Sequence, residues 1–229
     1  DLSPRRRVEF VPFVAPQISR DYDAGTPTRT KRDVGFDAKI GLSQSFNADL
    51  TFKTDFAQVE ADQEVVNLSR FSLFFPEKRQ FFTESAGIFD YSQNSANLSG
   101  PGLLTLFYSR RVGLSDGREI PILAGARVTG RAGHTTVGAM NIETDSSSTT
   151  PRANYTVVRL KQDVFGKSSL GGIILNRTGG GVHDNRTIGI DGVFSLGKNL
   201  DWVVLAAKTV TPGTSGRDWA ATTRARWTS

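Results

Sequence analysis

The chain has 229 residues, of which 38% are hydrophobic, 22% charged and none cysteine, which excludes a disulfide framework, a thiolate metal centre and a cysteine nucleophile. Its longest unbroken apolar run, residues 202–207, is far short of the ~20 residues a membrane-crossing helix needs, although a crossing strand needs only ~10 with every second one apolar. The net charge of +5 is spread out apart from three arginines at 5–7, with no accompanying aromatic-basic module, so it argues for a charged interior and loops and against nucleic-acid binding.

In chain order, Val8, Phe10 and Val14 against Arg7 and Glu9 predict a first strand ending at Pro16, then a polar connection over 17–32. From Asp33 the period of two is sharp. Val34, Phe36, Ala38, Ile40 and Leu42 share one face, and Asp33, Asp37, Lys39 and Ser43 the other. After a tight turn near Ser45, Phe46, Ala48, Leu50, Phe52 and Phe56 stand opposite Asn47, Asp49, Thr51, Lys53 and Asp55. The pattern then stops, and residues 57–102 form an aromatic, charge-dense insert. Strands are predicted again over 103–111, 119–131, 134–144, 153–164, 168–178, 185–196, 199–210 and 216–228, about eleven in all, with no amphipathic helix between them. In the strand at 119–131, Ile120, Ile122, Ala124, Ala126 and Val128 alternate with Leu123, Arg127, Thr129 and Arg131.

The connections alternate in length. Those at 131–133, 165–167 and 197–198 are tight, whereas 145–152, 179–184 and 211–215 are extended and polar, as in bacterial membrane barrels with short periplasmic turns and long outer loops. Carried back along the chain, this rule makes both the strand ending at Phe56 and the one starting at Leu103 run outward, so residues 57–102 must return across the membrane thickness. Charged as it is, the segment cannot pass through lipid, where each charge costs about 2–4 kcal/mol at mid-depth. It is expected to cross the interior as a plug or constriction, its Phe residues packing together and its charges pairing with the wall. The alternative is an unrecognised strand near 80–90. Trp219 and Trp227, on one face of the last strand, are spaced like two interfacial girdles.

Residues 46–91 (FNADLTFKTDFAQVEADQEVVNLSRFSLFFPEKRQFFTESAGIFDY), 106–114 (LFYSRRVGL) and 120–131 (IPILAGARVTGR) resemble the bacterial barrel domain catalogued as domain of unknown function 5916. The resemblance covers residues 33–143, and its most specific part is 74–82. It implies an outer-membrane β-barrel that follows a periplasmic module similar to family 9 carbohydrate-binding modules, with a saccharide as the expected solute class. Against that pattern the chain is short, has an odd strand count and lacks a terminal aromatic after Ser229. Residues 1–229 are therefore expected to be one barrel domain, incomplete, with closing strands beyond Ser229.

Chemical motifs are sparse. Gly113-Leu-Ser115-Asp-Gly117 spells a nucleophile-elbow pattern but lies between predicted strands, where the chemistry requires a strand-to-helix turn. His183 beside Asp184 is the one His-acid pair a hydrolase could use, and Gly179–Gly181 lacks the Lys of a phosphate loop. Asp55, Glu60, Asp62 and Glu64 do not have EF-hand spacing. No catalytic residue, metal site or cofactor is predicted. The predicted plug residues are Arg70, Phe74, Phe75, Glu77, Lys78, Arg79, Phe81, Phe82 and Glu84. The predicted inward wall comprises Asp37, Lys39, Asp49, Lys53, Arg127, Arg131, Arg224 and Arg226, with Arg159, Lys161 and Asp191. The expected function is a channel, receptor or translocator in the bacterial outer membrane. A loop-borne hydrolase site on the same barrel and a soluble β-barrel or sandwich binder are the alternatives, and outer-membrane lipid and a small solute or saccharide are the expected partners.

Overall fold

The computed structural model describes residues 7–19, 29–53, 77–91, 104–115, 118–146, 150–181, 183–214, 216 and 218–228, with backbone alone at 15–19 and 29–33. Strands β1 (Val8–Ser19), β2 (Arg29–Gly41) and β3 (Phe46–Phe52) come first. Two one-turn helices follow, α1 (Gln80–Thr83) and α2 (Ala86–Phe89), then a 3-10 turn (Ser109–Arg111) and a two-residue hairpin, β4 (Leu114–Ser115) with β5 (Arg118–Glu119). Seven longer strands complete the chain: β6 (Ile122–Ala132), β7 (Thr135–Thr144), β8 (Ala153–Asp163), β9 (Ser169–Gly179), β10 (Asn185–Leu196), β11 (Leu200–Val210) and β12 (Trp219–Trp227).

Among the described residues ten strands form one antiparallel up-and-down sheet in the order β1-β2-β3-β6-β7-β8-β9-β10-β11-β12. The fold is all-β, and the sheet is open, with β1 and β12 at its edges, as in an incomplete barrel. Long and short connections mostly alternate, the β8–β9 and β9–β10 connections (164–168 and 180–184) being equal at five residues, and the short turns at 42–45, 133–134 and 197–199 lie at one end of the sheet. Edge position also explains why Pro16 does not end β1, which stays paired to β2 as far as Ser19: proline has no N–H to give but an edge strand needs only one bonded side.

The predicted strand at 103–111 is absent. Residues 104–108 are irregular and lead into the 3-10 turn, while β3 pairs directly with β6, Asp49 opposite Arg127. The connection 53–121 thus leaves and re-enters the sheet at the same end, and no return across the sheet's height is required. Leu104, Leu106 and Phe107 instead pack against a core. Nor is there a strand near 80–90, where α1 and α2 lie. They are separated by Glu84, whose extended backbone (ψ 130) ends the first helix, and Ser85, left-handed at φ 58, which precedes the second.

The insert nevertheless lies on the charged face. Phe81, Phe82, Phe89, Tyr91 and Val112 are buried against Met140, Ile142, Val157, Ile173, Val203 and Leu205 of β7, β8, β9 and β11. Each such side chain contributes about 1.5–3 kcal/mol. The alternation gave β2 and β3 a wholly polar face on this side; farther along the sheet, beneath the insert, the same side carries this apolar patch. Ile122 joins it because a register shift between Ile122 and Ala124 turns Ile122 inward, off the outer face that strict alternation assigned it. Close approach depends on missing side chains: a Cβ on Gly138 would lie 2.7 Å from Ile88, and one on Gly189 2.6 Å from Leu106 and 2.8 Å from the Tyr91 ring.

Candidate functional site

Three arginine-centred contacts position the insert. On β6, Arg127 is buried and reaches Asp49 of β3 from Nε (3.0 Å) and Nη2 (2.8 Å). Its Nη1 donates to the carbonyls of Phe81 and Glu84, at the end of α1, and its guanidinium lies 5.2 Å from the Phe81 ring. Lys39 of β2 pairs with the Glu84 carboxylate. The wall thus supplies cations to a helix end whose carbonyls have no intrahelical partner. A cavity of about 40 Å³ beside them is lined by Glu9, Asp37, Lys39, Asp49, Gln80 and Glu84 among others.

The second contact closes the insert on itself. Arg79 is 2% exposed. It binds Glu77 through Nε (2.9 Å) and Nη2 (2.8 Å), donates to the carbonyls of Val112 (2.8 Å) and Ser109 (2.9 Å), and stacks 4.2 Å from the Phe82 ring. Ser109 Oγ donates to the same carboxylate at 2.7 Å. Burial alone would raise the Glu77 pKa, but the hydrogen bonds and charge of Arg79, with Ser109, hold it below the usual value.

The third is a buried pair on the inner face, Arg159 of β8 with Asp191 of β10, two parallel bonds of 2.6 and 2.7 Å passing over Gly171 of the strand between them. Tyr91 covers it: its ring lies 6.0 Å from the Arg159 guanidinium, and its hydroxyl sits 2.8 Å from the carbonyls of Ile190 and Ala206. Burial pushes the Tyr91 phenol up to about 12. Burial likewise raises the neighbouring Asp90, with the charge of Arg159 opposing it.

Phe81 and Glu84 of the predicted plug set therefore come together with Asp49, Lys39 and Arg127 of the predicted wall, while Glu77, Arg79 and Phe82 cluster with Ser109 and Val112 inside the insert. Lys78 is exposed, and Arg70, Phe74 and Phe75 lie outside the described residues, as do Asp55, Glu60, Asp62 and Glu64. Asp37 is on the inner face. Lys53 is not part of the wall: β3 ends at Phe52, and Lys53 turns away at φ 51 to lie exposed, 5.9 Å from the Phe52 ring. Arg131 is at the tight-turn rim, 2.6 Å from Asp163. Arg224 and Arg226 are half-buried on β12, opposite Val203 and Asp201. Tyr91 was not foreseen, and an isolated Tyr after a Phe-Asp pair carries no pattern that could have marked it.

The serine and histidine patterns are not assembled for catalysis. Ser115 lies in the β4–β5 hairpin, paired with Arg118, with no helix after it. Asp184 accepts the Gly179 amide at 3.1 Å, and the exposed His183 offers its backbone carbonyl to Arg177. Among the described residues no group of three or more acids or histidines could hold a metal ion.

An up-and-down antiparallel wall with a connection folded onto its charged face defines the class, an all-β open sheet of the kind an incomplete barrel presents, with an insert on one face. The chain belongs to the family described as domain of unknown function (DUF5916), whose model matches residues 4–129, taking in β1–β3, the insert and β6 as far as Thr129. No curated protein and no solved structure matches it.

Proposed function

We propose that this chain is the wall and interior insert of a β-barrel in the bacterial outer membrane, serving as a channel, receptor or translocator for a solute without bond chemistry. One observation carries the reading. The two faces of the sheet are covered the opposite way round from a soluble protein: the insert packs on the charged face, while large apolar side chains stand uncovered on the other, including Phe10 (59% exposed), Ile190 (64%) and Trp219 (68%). A continuous apolar face of this extent needs acyl chains or a protein partner against it. A soluble sandwich or lipocalin-like binder would instead enclose Phe36, Ile40, Leu50 and Phe52 between layers; Leu50 and Phe52 are exposed, and the buried residue between them is Thr51. A saccharide is the solute class favoured by the family resemblance, with a carbohydrate-binding-like module upstream.

Membrane fractionation tests the location. The full-length protein is expected in the carbonate-washed pellet and released only by detergent; recovery in the soluble fraction without detergent disposes of the reading. Gating is tested by liposome conductance with and without residues 63–97. Deletion is expected to raise conductance, and equal conductance removes the insert as a gate.

A further inference from the structure

The outer face is not uniformly apolar, and where it turns polar follows a line. One register row crosses the sheet through Ile40, Ala48, Val128, Ala139, Val158, Ile174, Ile188 and Lys208. Toward the long-connection end, apolar side chains continue past this row as far as Val34 on β2 and Phe52 on β3. On β7, β8, β9 and β10 the next outward-facing residues are already Asn141, Thr156, Asn176 and Arg186. On β11 the row itself is polar, at Lys208, which pairs with Trp219, with the exposed Val210 beyond it.

The boundary therefore steps down from one side of the sheet to the other, level from β7 to β10 and displaced on β2, β3 and β11. From Val34 on β2 to Ala206 on β11 it drops about 26 Å across about 34 Å of sheet, at ~3.3 Å per residue and ~4.8 Å per strand. That slope is roughly 35–40°. A flat plane cutting strands tilted by ~35–45°, as in membrane barrels, would leave such a line.

The polar side also has its own chemistry. Asn141 Nδ2 donates to Asn154 Oδ1 (2.8 Å) and Thr156 Oγ1 (2.9 Å), and Asn154 Nδ2 to Glu143 Oε2 (2.8 Å). This amide ladder would have no polar surroundings among acyl chains, and basic Arg186 and Lys208, two and three strands farther along from β8, match phosphate charge.

We infer that the line through Asn141, Thr156, Asn176, Arg186 and Lys208 is where the wall passes from acyl chains into the lipid headgroup layer, its amides and cations contacting headgroup phosphates and hydroxyls. The inference rests on the membrane reading above. Trp219 on the line suits it, since indole rings favour that depth.

None of the 229 residues is a cysteine, so with any cysteine elsewhere in the full-length protein replaced by serine, single introduced cysteines can be labelled without background. Thr156→Cys, Asn176→Cys and Lys208→Cys report the line; Val158→Cys, Ile174→Cys and Leu50→Cys report the apolar side, Leu50 lying in the same register row as Thr156. Each full-length variant is labelled with bimane and reconstituted in phosphatidylethanolamine–phosphatidylglycerol vesicles. Quenching is compared between headgroup nitroxide, acyl-chain nitroxide and aqueous iodide, after heat-modified gel mobility confirms folding. Line positions are expected to quench more with headgroup nitroxide and iodide than with acyl nitroxide, and the other three in the reverse order. If the line positions quench like Val158 and Ile174, the inference is overturned while the membrane reading stands. Line positions shielded from all three quenchers overturn it in favour of a protein cover. If Val158, Ile174 and Leu50 are themselves reached by iodide and not by acyl nitroxide, the membrane reading fails first.

Discussion

Arg127 is the side chain on which most interactions converge, holding Asp49 on the wall and two carbonyls of the insert at once. Arg127→Ala would leave a buried carboxylate and two carbonyls unpaired, a loss of about 3–5 kcal/mol for a broken buried pair, read as a lowered denaturant midpoint. Removing both charges with Arg127→Met and Asp49→Leu is expected to recover only part of this, because the carbonyls of Phe81 and Glu84 remain without a donor. Complete recovery would show that they do not depend on Arg127. The Arg127–Asp49 contact was open to sequence reading only as two residues on one face; that they face each other depends on β3 pairing with β6 across a long connection.

Tyr91 offers a titration at the same scale. Its proton is held more tightly folded than unfolded, so its contribution is intact below pH 10 and is lost as pH rises toward about 12. Absorbance titration should show one tyrosine ionising late, and Tyr91→Phe should abolish that phase.

For the insert as an element, the docking surface depends on Gly138 and Gly189, where the wall backbone leaves room for Phe89 and Tyr91. Gly189→Val is expected to dislodge the insert and spare the sheet, giving new protease cleavage within 77–112 while the β signal in circular dichroism persists. Loss of that signal would mean the wall requires the insert. Glu77 makes the insert's closure on itself acid-sensitive. Its folded pKa lies below its usual 4.5, so the stabilisation is full above that value and disappears as pH falls through the lowered one. Protease sensitivity of the Glu77–Ser109 region should rise over that range, and Glu77→Gln should remove the pH dependence.

What was legible at this scale follows from the physics of two-faced strands. Alternation located ten of the predicted strands because each carries side chains to two unlike environments. It failed at 103–111, where an irregular segment buries residues against a core, and at Ile122, where one extra residue reverses the faces. Of the insert's charges expected to pair with the wall, Glu84 does so with Lys39, whereas Glu77 and Arg79 pair with each other; the route was misread because the strand placed at 103–111 created a traverse that β3–β6 pairing does not need.

For the whole molecule, the prediction concerns depth. Ile174→Arg, on the apolar side, should destabilise the bilayer-embedded protein by about 2–4 kcal/mol, whereas Thr156→Arg at the proposed boundary should cost about 0–1 kcal/mol, both read from unfolding equilibria in bilayers. Similar costs at both sites would mean that the two positions share one environment.

The β3–β6 junction has a further consequence for how the chain assembles. All other neighbouring strands in the sheet meet after short or moderate detours, but this pair meets only after residues 53–121 have looped out and come back. Relative to a tight turn, bringing its two ends together costs about 2–3 kcal/mol more in chain entropy. The sheet therefore has a seam: β1–β3 and β6–β12 can each zip independently, and the aromatic segment between them is held back until the two halves join, so that slow steps in biogenesis should concentrate at that one junction.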